Sequence, residues 1–174
     1  MYEIEIPSGT TVQFANGEIT VKGKLGSTRK MFNTKLNTYK QEGAKISIDW
    51  TRNKKLAKKA ELAATAVANE LRDALKYVNE GMETHMKVLY AHFPMSLELK
   101  GKELHLKNVF GEKVPRTAAI VGDTKVEIKG QDVNIKGVDR YDVGQTIANI
   151  RKACKARGYD TRVFQDGIYV NSEE

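Results

Sequence analysis

Three imidazoles and one thiol, His85, His92, His105 and Cys154, are the side chains of this chain best suited to ligating a metal or attacking a substrate. The histidines fall in strand-like stretches without metal-ligand spacing, and Cys154 falls on the apolar face of a helix. Core or half-buried roles suit all four better than ligation or nucleophilic catalysis. Neither a Walker sequence nor a dinucleotide-binding glycine fingerprint occurs. The sequence points away from an enzyme, and no metal or other cofactor is expected.

What the chain has in excess is positive charge. Its 29 Lys and Arg stand against 22 Asp and Glu, a net +7. Such an excess favours polyanionic partners, nucleic acid first and an acidic membrane surface second. From Lys136 to Gln165 there are seven basic and three acidic residues. Arg151, Lys152, Lys155 and Arg157 gather at the end of a helix, mostly off its apolar stripe, and Arg162 follows the turn at Gly158. The helix dipole alone favours cations there; added to the overall charge, the cluster suits RNA phosphates. Tyr159 and Phe164 beside it either stack on bases or cover the helix end.

Other candidates are weaker. Lys54, Lys55, Lys58 and Lys59 sit in the first turns of a long helix, against the dipole, which suits an anionic partner and a solvated face equally. Trp50 closes the alternating run ISIDW and fits a core role better than base stacking. The GKLG of Gly23 to Gly26 has the form with which KH domains clamp single strands. That loop joins two helices, whereas here a strand runs into it. A glycine-bearing strand exit, with Arg29 and Lys30 able to touch phosphate, fits better.

The elements that must position these residues repeat. VQFANGEITVKGKLG (12–26) lies without a gap on LELKGKELHLKNVFG (97–111), each copy alternating apolar and polar residues about a two-residue turn. Asn16-Gly17 suits a type I′ turn and Gly101-Lys102 a type II′ turn. One helix follows in each half: Leu56, Ala60, Ala63, Val67, Leu71, Leu75 and Val78 mark the first stripe, and Val143, Ile147, Ile150 and Cys154 the second. Asp142 reads as the N-cap of the second helix, Gln145 as its capping-box partner and Gly158 as its C′ residue. AKISIDW, KVEIK and DVNIKGV read as strands, the last two as a hairpin about Gly130-Gln131. HMKVLYAHF reads as a strand entering the second half, and DTRVFQDGIYV as a closing hairpin, with Asp166-Gly167 at the bend and Val163, Phe164, Ile168 and Val170 as strand residues. The expected fold is α+β, two similar domains from an internal duplication, each a mostly antiparallel sheet packed against one helix. The boundary falls in NEGME, giving domains 1–80 and 81–174.

One cysteine permits no internal disulfide. The acidic MYEIEIPSGT lacks the form of a signal peptide, and no apolar run approaches the roughly 18 residues of a membrane span. A cytoplasmic protein is expected.

The duplicated layout, VPRTA after the second hairpin, the helix DVGQTIANIRKACKARGYD and above all TRVFQDGIYV resemble large-subunit ribosomal protein six in its archaeal and eukaryotic form. The resemblance covers essentially the whole chain. It implies a structural protein of the large ribosomal subunit, bound to ribosomal RNA near the sarcin-ricin loop, beside the site where translation factors dock. It also implies that the second domain makes the principal RNA contact, through the segment after its helix. Carried onto this sequence, the expected rRNA-binding residues are Arg151, Lys152, Lys155, Arg157, Arg162, Gln165, Asp166 and Gly167, with Lys113 and Arg116 flanking the second hairpin. The partners implied are large-subunit rRNA and neighbouring ribosomal proteins, with no membrane, small-molecule substrate or homo-oligomer. A reading from another class, a free protein holding a small anionic ligand, requires a pocket of convergent polar groups that no spacing here supplies.

Overall fold

The computed structural model describes residues 2–15, 17–32, 37–51 and 56–171. The chain divides into two compact units, Met1–Gly81 and Met82–Glu174. The first unit runs β1 (Tyr2–Glu5), β2 (Thr11–Ala15), β3 (Glu18–Lys22), β4 (Ser27–Met31), β5 (Asn37–Glu42), β6 (Lys45–Trp50) and α1 (Ala57–Glu80). The second runs β7 (Met82–Leu89), β8 (Ser96–Lys100), β9 (Glu103–Lys107), a tight turn at Val109–Gly111, β10 (Arg116–Ala119), β11 (Lys125–Lys129), β12 (Asp132–Gly137), α2 (Arg140–Ala153) and β13 (Gly167–Val170).

The fold is α+β with a repeated plan. Thr11 corresponds to Ser96 and Lys22 to Lys107, a constant offset of 85, so the β2–β3 and β8–β9 hairpins have the same bounds in both units. The φ of +59° at Gly101 supplies the positive first position that a II′ turn needs. In the other turn Gly17 has φ +83°, while Asn16 lies outside the described residues. Each helix serves two small antiparallel sheets rather than one. Their orders are β1-β6-β5 and β2-β3-β4 in the first unit, β11-β12-β7-β13 and β10-β9-β8 in the second. The strands β1, β4, β5 and β10 gave too little alternation to be recognised in the sequence. β13 has no counterpart among the described residues of the first unit.

The first core joins Ile4, Val12, Ile19, Val21, Ile46 and Ile48 to the buried face of α1. Four alanines on that face, Ala60, Ala64, Ala68 and Ala74, let the helix backbone approach the sheets closely. Ala64 takes the buried place expected of Ala63, and Leu56 is the exposed residue before the first turn. Trp50 is only half-buried and packs its ring 5.3 Å from that of Tyr2. GKLG joins β3 to β4, two strands, so the KH geometry is excluded. Its Gly23 N–H donates to Gly26 O (2.9 Å) and its Leu25 N–H to Val78 O at the end of α1 (3.0 Å). A Cβ on Gly23 would stand 2.1 Å from Val78 Cγ1. Gly23→Ala is therefore expected to destabilise by about 2 kcal/mol through overpacking, read as a lower urea midpoint with unchanged slope.

The second core gathers Met86, Val88, Leu104, Leu106, Val109, Phe110, Ile135, Val143, Ile150 and Ile168. Among the described residues no helix is long and apolar enough to cross a membrane.

Candidate nucleic-acid interface

The end of α2 and the chain that follows it are fixed from two sides. On one side stands Arg116 of β10, whose Nη1 donates to Ala153 O (2.9 Å) and Lys155 O (2.7 Å). The first is a carbonyl that the last turn of a helix leaves without an intrahelical donor, and the second lies just past the Cys154 C-cap. Its Nε and Nη2 grip both oxygens of Glu112, with Nε to Oε2 at 2.7 Å. Its guanidinium also lies 5.9 Å from the centroid of the Phe110 ring. The Arg116 hydrogen bonds hold the Glu112 carboxyl below its usual pKa, and the nearby Arg157 charge adds to this. Arg116 is thus mostly turned inward, its side chain only 16% exposed. Arg116→Lys retains the charge and loses the fork geometry. It is expected to destabilise by about 1–2 kcal/mol, since one ammonium cannot serve both carbonyls and the carboxylate; chemical unfolding would show it.

On the other side stands Asp166. Its carboxylate accepts the backbone N–H groups of Ala91 (3.0 Å), His92 (3.1 Å) and Phe93 (3.1 Å), and lies 3.1 Å from His92 Nδ1. The side chain is 2% exposed. Burial pushes its pKa up, but the hydrogen bonds outweigh burial and bring it down to about 2.

Between these anchors runs a chain of rings. Phe110 stacks on Tyr159 at 5.3 Å, Tyr159 packs on Phe164 at 4.9 Å, and Phe164 on His92 at 4.6 Å. Tyr159 Oη donates to Phe110 O (3.3 Å). Phe110 itself has φ +52°, ψ +32°, a left-handed conformation rare for an aromatic residue. It is held by burial at 3% exposure and by its neighbours Asn108 and Gly111, both also at positive φ. Tyr159 and Phe164 therefore cover the helix end.

Several sequence readings change here. The N-cap of α2 is Asp139, which accepts from Tyr141 N (2.8 Å), and Asp142 is a first-turn acid. Gln145 bonds Asn149 (3.1 Å) in place of a capping-box contact, and Gly158, at φ +76°, lies beyond the Cys154 C-cap. The run 160–170 is not a hairpin. Asp160 O accepts from Val163 and Phe164 N–H in a turn, and only Gly167–Val170 is a strand, paired with β7. HMKVLYAHF stops being a strand at Leu89, because the next residues bend inward to donate to Asp166. His92 consequently sits in a turn. Cys154 is buried, and desolvation pushes its thiol up to about 11, so it is no nucleophile.

The expected contact residues separate by exposure. Lys113, Arg151, Lys152, Lys155, Arg157, Arg162 and Gln165 are exposed, whereas Asp166 and Gly167 are buried. None of the six exposed cations forms an ion pair among the described residues. The three acids of these segments are engaged: Glu112 by Arg116, Asp160 by the Arg162 N–H (2.9 Å), and Asp166 inside the clasp. Neighbouring Val114 and Val163 are exposed at 75% and 58%. The result is a rigidly backed surface whose cations are free and whose anions are not. Of the other lysines considered, Lys58 and Lys59 are exposed on α1, while Lys54 and Lys55 lie outside the described residues. Arg29 is on β4, 3.8 Å from Glu18. Sequence reasoning missed Glu112, the contact of His92 with Asp166 and the geometry of Phe110. An Asn and a Gly around Phe110 signalled a turn but not which residue would take the strain.

Residues 93–167 match the family model described as Ribosomal protein L6. That span begins at Phe93, one of the three backbone donors to Asp166, and ends one residue past Asp166. Over nearly its whole length the chain is similar to proteins named Large ribosomal subunit protein uL6. That of Methanocella arvoryzae is 38% identical, covering 98% of this chain and 96% of the relative. That of Methanobrevibacter smithii is 39% identical over 99% and 95%. That of Thermoplasma acidophilum is 38% identical over 98% and 94%. A likeness of this degree, running through both units and not only through the matched span, makes the chain a member of the ribosomal protein L6 family.

Proposed function

We propose that this chain is a structural, non-enzymatic constituent of the large ribosomal subunit, with ribosomal RNA and neighbouring ribosomal proteins as its partners. The second unit docks on large-subunit rRNA near the sarcin-ricin loop, beside the translation-factor site. The observation that supports this most is the surface of Lys113, Arg151, Lys152, Lys155, Arg157 and Arg162, whose cations are exposed while the carboxylates of the same segments, Glu112, Asp160 and Asp166, accept hydrogen bonds. The cations neutralise phosphates, and Gln165 adds an amide donor beside them. Asp166, Gly167 and Arg116 serve the same surface from behind by fixing the backbone. Because folded RNA hides most base edges, recognition is of shape and backbone.

The test is binding of the full chain to a large-subunit RNA fragment containing the sarcin-ricin stem, across a salt series. Six phosphate contacts give a log–log slope of roughly −4 to −5. Binding no tighter than to an unrelated hairpin of equal length would remove the assignment to that RNA region.

A further inference from the structure

The β5-β6-β1 sheet of the first unit repeats the β11-β12-β7 part of the second unit's larger sheet, without its fourth strand. The turns at Gly43 and Gly130, at φ +60° and +63°, set β5-β6 on β11-β12. β1 then corresponds to β7: Ile4 pairs with Ile46 as Met86 does with Val133, and Ile6 N–H donates to Ala44 O (2.8 Å) as Val88 N–H does to Gln131 O (2.8 Å). On the helices, Leu71 and Leu75 correspond to Ile150 and Cys154, buried in both units. In the second unit β13 lies along β7, with Tyr169 opposite Lys87 and Asn171 N–H donating to His85 O (2.9 Å). The Ile168 main chain also hydrogen-bonds the Cys154 sulfur. Among the described residues the equivalent place in the first unit holds no strand. A pocket of about 520 Å³ lies there, between β1 and the end of α1, with Ile4, Pro7 and Leu75 as its apolar lining.

Hydrogen-bonded and non-bonded pairs alternate along an antiparallel ladder. The Ile6 bond to Ala44 therefore turns the main chains of Glu3 and Glu5 away from β6, and among the described residues no other strand meets them. They match His85 and Lys87, the residues that β13 bonds. Pro7, in the place of Leu89, has no N–H, so the open ladder is confined to Glu3 and Glu5. Unpaired main-chain groups in strand register beside an apolar pocket are what strand addition requires. We infer that the β1 edge and this pocket accept an extended segment of a partner protein as a further antiparallel strand. One of its aliphatic side chains lies against Leu75, as Ile168 lies against Cys154. The rim mixes signs, Glu5 and Glu80 with Lys24, Arg72 and Lys76, which gives a phosphate backbone little to hold. Two copies joined edge to edge would oppose their own Glu3 and Glu5 carboxylates. The inference deepens the ribosomal reading and rests on it only for the source of the strand, a neighbouring ribosomal protein.

The experiment follows the backbone amide NMR signals of the full chain during titration with a blocked peptide DGIYVN, the sequence of residues 166–171. Its controls are the same peptide N-methylated at Tyr and Asn, whose N–H groups face β7 in this chain, and a single-stranded uridine hexamer. The plain peptide shifts the Glu3 and Glu5 amides and slows their hydrogen exchange, and the N-methylated peptide does neither. Glu5→Pro removes an N–H that β6 does not use, so the fold survives while the peptide binds about tenfold more weakly. Should Glu5→Pro perturb the fold, the N-methylated peptide decides, since it needs no variant. No shift at the solubility limit of the peptide, equal shifts with its N-methylated copy, or shifts at Glu3 and Glu5 driven by the hexamer overturn the inference. Shifts that grow with protein concentration alone overturn it too, in favour of a second copy. Binding of Glu5→Pro to the sarcin-ricin fragment stays at the wild-type level, so failure at the β1 edge and failure of the RNA reading give different results.

Discussion

Combining Arg157→Glu with Arg162→Glu is expected to weaken binding to the sarcin-ricin fragment by about a hundredfold near physiological salt. On the proposed reading two phosphate contacts become two repulsions, on a surface with six exposed cations among the described residues. The log–log salt slope should also fall in magnitude by about 2. Both side chains are exposed, and the backbone bonds at position 162, its N–H to Asp160 and its carbonyl to Gln165, do not depend on the arginine head. Circular dichroism and the urea midpoint should consequently stay close to wild type. The neutral pair Arg157→Gln with Arg162→Gln gives the intermediate case, a loss of about tenfold. A charge-reversed variant that bound as wild type does would show that the contact lies elsewhere on the chain.

The largest stability effect is expected at Asp166. Replacement by Ala strips a partner from three backbone N–H groups at once, and Asn presents an amide where only acceptors fit. Either change should destabilise the second unit by about 3–4 kcal/mol. The pH dependence follows from the lowered pKa. A carboxyl that titrates near 2 in the folded state and near its ordinary value when unfolded stabilises the fold above about pH 4. Its contribution, about 2 kcal/mol, is then lost as pH falls toward 2. Stability of wild type minus Asp166→Asn, measured by urea unfolding across that range, isolates this carboxyl from the others. A difference that stays flat down to pH 2 would mean that the clasp does not favour the ionised form.

The sequence displayed periodic features well and long-range ones poorly. Alternation about Asn16-Gly17 and Gly101-Lys102 marked both hairpins, because period two and turn chemistry are local. The helical stripes were equally plain. DTRVFQDGIYV misled because Asp-Gly within a β-rich run ordinarily marks a hairpin bend. Here the aspartate serves a turn 73 residues earlier in the chain, and nothing local announces such a partner. For the same reason Asp166 was grouped with the surface residues although its chemistry points inward. Arg116 misled in like fashion: an arginine in a basic protein reads as a phosphate ligand, and only the structure places it under the helix end. The exposed cations were legible because charge at a helix terminus survives without knowledge of tertiary contacts.

The distance in sequence between Phe93 and Asp166 also sets an order of events. Chains emerge from the synthesising machinery N-terminus first, at about 5–20 residues per second, and their domains tend to fold as they appear. The first unit has all its strands and its helix once residue 81 is out. The second has its cationic residues through Arg162 before it has the carboxylate that organises the Ala91–Phe93 turn, and β13 comes later still. A nascent chain therefore displays the charge of the interface before its shape. Under the proposed function, specific docking waits for Asp166 and β13, and earlier contacts with RNA remain electrostatic and easily reversed.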